Sequence, residues 1–102
     1  MAYWFVFCRG DVLLERRTDG THTIPSGEQP PVGVTSDTHI LNVSPMDDGS
    51  TVKAFAIDEV EGDPRYEMCG LRQSFYKLPL PLYLKAGKAQ ELLYWDRNTR
   101  FC

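Results

Sequence analysis

The chain contains no apolar run approaching the roughly 20 residues needed to cross a bilayer, so no transmembrane segment is expected. Its opening stretch MAYWFVFCRG is apolar but short, without a basic leader or a small-residue cleavage site, which argues against a signal peptide. Cysteine is scarce. Cys8, Cys69 and Cys102 are odd in number and unrelated in spacing, which excludes a disulfide framework and points to a reducing cytoplasm. There is no concentrated basic patch, and a formal net charge of -3 argues against direct nucleic-acid binding through phosphates. Also missing are a GxSxG elbow, a P-loop and a GxGxxG turn, so hydrolase triads and glycine-cradled nucleotides have no local support.

At 102 residues the composition suits one globular domain with a modest core. Tyr3 to Phe7 is an aromatic and branched run set off by Gly10-Asp11 from Val12-Leu13-Leu14, which predicts a hairpin. Thr18-Asp19-Gly20-Thr21 is a turn leading into a strand over Thr21 to Ile24. Three prolines and two glycines between Pro25 and Val34 predict a stiff loop without regular structure. His39 to Val43 and Val52 to Val60 read as strands around the turn Asp47-Asp48-Gly49-Ser50. Neither face of the second strand is strongly polar, so it should be central, with helices covering at least one side. Helices are expected over Met68 to Leu78 and Leu84 to Asn98, parted by Pro79 and Pro81, with Leu71, Phe75 and Leu78, and Ala89, Leu92, Leu93 and Trp95, as their apolar stripes. The fold class is α+β: a mostly antiparallel sheet followed by two C-terminal helices.

Few residues invite chemistry. Cys8 and Cys69 read as small buried hydrophobes, and His22 and His39, with no partner at a metal-ligand spacing, as ordinary exposed histidines. Asp47-Asp48, Asp58 and the Glu59 and Glu61 pair read as solvated acids. Arg72 falls in the first turn of an expected helix, where a cation opposes the dipole; it is there either to grip a phosphate or to pair with Glu67 or Asp63. The stiff loop Ile24-Pro25-Ser26-Gly27-Glu28-Gln29-Pro30 could present amides to a ligand or simply connect strands. At the far end, Phe101-Cys102 after Asn98-Thr99-Arg100 has the form in which many zinc knuckles begin, with Cys102 as a first ligand and the rest of the site beyond it.

ELLYWDRNTRFC resembles the segment before the CxxC zinc ribbon of the NADH pyrophosphatases, zinc-containing members of the Nudix superfamily. IPSGEQP is similar to that family's Leu-Pro-x-Gly-Glu-x-Pro loop, and Leu71-Arg72-Gln73 also matches. The resemblance is to the family's rudimentary Nudix-like N-terminal domain. It implies a domain over residues 1 to 101, a zinc ribbon opening at Cys102, and a catalytic Nudix domain. The last would hydrolyse the pyrophosphate of NAD(H) to nicotinamide mononucleotide and AMP with magnesium or manganese. No Nudix box occurs in these 102 residues, so the chain itself is expected to be inactive. The resemblance further implies packing against its own ribbon and Nudix domain, self-association as a homodimer, and substrate contacts at Arg72 and Ser26, the latter standing where some members carry lysine. A parent with a degenerate Nudix box, leaving a binding or assembly module, is the alternative.

Overall fold

The structure, a computed structural model, describes residues 2–60 and 62–99, with side chains through Asp96. Seven strands and two helices follow in the order β1 (Ala2–Cys8), β2 (Asp11–Arg16), β3 (His22–Thr23), β4 (Ser26–Gly27), β5 (Leu41–Val43), β6 (Thr51–Ile57), β7 (Tyr66–Gly70), α1 (Leu71–Ser74) and α2 (Leu80–Thr99). The fold is α+β with a mostly antiparallel sheet, as expected, into which one parallel pairing is mixed. β1 pairs antiparallel with β2 at its end and with β4 at its start, yet lies parallel to β6 over seven consecutive pairs from Ala2–Thr51 to Cys8–Ile57.

The alternation along β6 places its side chains as the sequence implies. Val52 and Ala54 join Phe5, Phe7, Leu14 and Ile24 in a core sealed by Leu82, Ala86 and Ala89 of α2. Phe55 points the other way, into a second core with Trp4, Val6 and Leu13. β6 is thus central, between β1 and β5, with Val52 and Ala54 buried on one face and Phe55 on the other. No helix covers the second core; loop residues Val32, Ile40 and Val60 do. The loop is fastened by Trp4, whose backbone N–H donates to Pro25 O at 2.8 Å and whose Nε1 donates to Gly27 O at 3.1 Å. The proline-rich loop therefore contains one short regular piece, β4, because the N-terminal half of β1 has an edge that β2 leaves free.

The two expected helices shift. Met68, Cys69 and Gly70, assigned to the first on periodicity, belong to β7, which pairs with β2 over five residues from Asp11–Gly70 to Glu15–Tyr66. Tertiary pairing outweighs helix propensity there. What remains is one turn, α1, continued to Leu78 by short-range bonds such as Phe75 N–H to Arg72 O. Phe75 is consequently exposed rather than part of a core stripe. The second helix starts at Leu80, four residues earlier than expected. Pro79 precedes it and accepts the N–H groups of Leu82 and Tyr83, while Pro81 sits in the first turn, where its missing N–H costs nothing. Trp95 turns away from the core.

Arg9 and Gly10 form the β1–β2 turn with φ of 52° and 86°, a left-handed pair typical of tight hairpins. The turn falls one residue before the predicted Gly10-Asp11, and it places a β-carbon in a region that arginine tolerates poorly. Arg9→Asn should raise unfolding stability in urea by about 0.5–1 kcal/mol, whereas Gly10→Val should lower it.

Candidate functional site

Arg72 and Ser26 do not converge. Ser26 is exposed on β4 opposite Tyr3, whereas Arg72 follows Gly70, which lies opposite Asp11 and so beside Cys8. The run from Tyr3 to Cys8, about 17 Å at 3.3 Å per residue, separates them. Arg72 is exposed, and neither acid expected to hold it does so: Asp63 forks onto Arg65 at 2.9 Å, and Glu67 is occupied by other cations. The dipole argument also weakens, because a four-residue helix carries little dipole to oppose. What the structure leaves is an exposed guanidinium with no ion-pair partner among the described residues.

Glu67 was not legible in the sequence as a hub. On β7 its side chain shares a face with Cys69, turned toward the helices, and three elements bring nitrogen-bearing side chains to it. Arg16 of β2 binds Oε1 through Nε at 3.1 Å and an Nη at 3.0 Å, His22 of β3 places Nε2 3.4 Å from the same oxygen, and Lys77, past α1, binds Oε2. The Lys77 hydrogen bond is the largest influence, and with Arg16 and His22 it lowers the Glu67 carboxyl from 4.5 to about 2. The arrangement pins the segment between the helices to the sheet edge. His22 is therefore half-buried against a carboxylate, not an ordinary surface histidine. His39 is exposed, as expected, but is paired, with Nδ1 2.8 Å from Asp96 on α2. A strand reading of 66–70 would have placed Glu67 on the core-facing side; the helical reading hid it.

A cleft of about 1070 Å³ opens where β1 and β6 end together, between the loop through residues 33–39 and one side of α2. Asp37, Asp58, Glu59, Glu91 and Asp96 line it, with His39 and no Lys or Arg. That wall repels a diphosphate. Among the described residues no group of three or more His, Cys, Asp or Glu side chains could hold a metal ion; Cys102, the expected zinc ligand, and Glu61 lie outside the described residues. Cys8 is half-buried, not fully as expected, and donates to Asp58 O at 3.3 Å. Cys69 is buried, and burial raises its thiol pKa. Both thiols are free.

A family model described as an NADH pyrophosphatase-like rudimentary NUDIX domain matches residues 1–95. The chain belongs to this family. The match takes in the whole sheet, α1 and most of α2 of the rudimentary NUDIX domain. No curated protein matches it. Among the described residues of the domain no helix is long and apolar enough to cross a membrane.

Because the folded Glu67 pKa lies below the unfolded value, its stabilising contribution is complete above pH 4.5 and disappears as pH falls toward 2. Glu67→Gln should cost about 1–2 kcal/mol at pH 7, the sum of a few partly exposed ion pairs. In urea titrations the gap between the two proteins should close across that acid window.

Proposed function

We propose that this rudimentary NUDIX domain is the noncatalytic N-terminal part of an NADH pyrophosphatase whose zinc ribbon and catalytic Nudix domain hydrolyse NAD(H) to nicotinamide mononucleotide and AMP. The family match over residues 1–95 carries the reading. The carboxylate-lined cleft supports a noncatalytic role, since its wall would repel a diphosphate. Zinc held from Cys102 onward and catalytic magnesium or manganese belong, on this reading, to the rest of the parent, as does packing against the ribbon and the Nudix domain in a cytoplasmic setting. Arg72 is the residue we assign to substrate. Exposed and without an acidic partner among the described residues, its guanidinium can offer two parallel N–H donors to phosphate oxygens. Ser26 offers only a neutral hydroxyl at the other end of β1 and would meet a different part of an extended ligand.

Residues 1 to 102 alone should show no NADH hydrolysis with magnesium or manganese, and appreciable turnover would refute the reading. In a parent carrying all three parts, Arg72→Ala should raise KM for NADH about 10-fold, the loss expected for one charged hydrogen-bonded contact, with the thermal midpoint unchanged. Unaltered kinetics at subsaturating NADH would remove Arg72 from the site. An inactive parent that still binds NADH would favour the binding-module alternative.

A further inference from the structure

Charge is unevenly divided along the chain. Residues 68 to 90 carry four cations, Arg72, Lys77, Lys85 and Lys88, and no acid, while the remainder carries seven cations and all 14 acids. A chain of net charge -3 thus sets one segment of +4 against a body of -7. The same segment exposes large apolar side chains. Phe75, Tyr76, Leu80 and Leu84 are 51%, 85%, 55% and 60% exposed, although Leu82, Ala86 and Ala89 of α2 enter the core.

At 100° per residue, Leu80, Leu84 and Lys88 fall within an arc of about 80° on the side of α2 away from the core. Phe75 flanks this arc, its ring edge-to-face with Tyr76 and with Tyr83 of α2, each at 5.3 Å, so the aromatic side chains are held in place. On the other flank Lys85 donates to Ser44 Oγ at 3.0 Å and Pro45 O at 3.3 Å, neutral oxygens that leave its charge uncompensated. Lys77 is taken by Glu67, and Asp47 lines the same hollow as Lys85 and Lys88, so the face keeps a smaller excess of cations than the segment. Along α2 the lysines come first and Glu91 and Asp96 follow. That order opposes the helix dipole, and it gathers positive charge where the leucines are exposed.

Two observations select the occupant. The hollow, whose apolar lining is Met46, Leu80, Pro81 and Leu84, holds about 290 Å³, below the usual range for a pocket that encloses a small ligand. Interfaces between proteins are depleted of lysine and gather their apolar groups in a core freed of charge, whereas here leucines, rings and lysines interleave. Such mixing suits the boundary between lipid headgroups and acyl chains, which apolar side chains enter while lysine stems reach back to phosphate. We infer that the face formed by Tyr76, Leu80, Leu84, Lys85 and Lys88 docks on an anionic lipid surface. The acidic body is repelled by that surface, which turns α2 toward it. Few groups take part, so binding is weak and reversible. The inference does not use Arg72 and is independent of the NAD(H) reading.

Cosedimentation of residues 1 to 102 with vesicles tests it, with circular dichroism to confirm that each variant is folded. The protein should pellet with vesicles of phosphatidylserine and phosphatidylcholine in equal parts, stay in solution with phosphatidylcholine alone, and be released by high salt. Leu84→Gln and Lys88→Gln, both at exposed positions, should each lower the partition coefficient about 5-fold. Tyr76→Ala should weaken binding where Tyr76→Phe does not. No pelleting with the anionic vesicles, equal pelleting with phosphatidylcholine alone, or binding untouched by Leu84→Gln would each overturn the inference. Capture of the face by an acidic amphipathic peptide without any vesicle binding would also overturn it, in favour of a protein partner.

Discussion

β1 and β6 run side by side for seven residues, and the pair buries large side chains on both of its faces. Parallel neighbours cannot be joined by a tight turn, so the chain between them must travel, and it uses that path to build β2, β3, β4 and β5 and the loop over the second core. With Phe5, Val6, Val52 and Phe55 all fully buried, a shift of one residue in this register would exchange the two cores and leave neither filled. α2 on one side and the Trp4-anchored loop on the other follow from that constraint. So does the cleft, which opens where the two strands end and the covering layers part.

The edge of the sheet is handled differently. β7 pairs with β2 through backbone bonds, but the segment that follows is held chiefly by side chains: Lys77 and Arg16 converge on Glu67, and Ser74, fully buried, donates its hydroxyl back to Leu71 O. This fastening leaves the outer surface of α1 free, including Arg72. Arg72, exposed and without an ion-pair partner among the described residues, stands beside that anchor, so the proposed substrate contact rests on it and the structural load on its neighbours.

α2 shows the same division between holding the fold and facing outward. Small residues, Ala86 and Ala89, let it lie close on β5 and β6, and they leave its larger residues to solvent. A helix apolar on two sides is stable in water only at some cost, and its reversed charge order adds to that cost.

Much of the fold was legible locally. The alternation of Val52 through Ile57 announced a central strand, and Asp19-Gly20 and Asp48-Gly49 marked turns whose glycines adopt positive φ in the structure. The family resemblance rested on short motifs and was matched over residues 1–95. Misreadings came where a partner distant in sequence decides the outcome. Met68 to Gly70 have no strong local preference, and the open edge of β2 made them a strand. His39 and Asp96 are 57 positions apart and meet only because a loop and a helix close over the same strand ends. By itself the sequence determined the alternating core positions, the turns and the class of the fold, because these depend on residues within a few positions of one another. Tertiary structure alone decided which edge captured β7, that Glu67 would gather Arg16, His22 and Lys77, and that Ser26 and Arg72 would stand near opposite ends of one strand, since each depends on pairing between segments that local propensity does not connect.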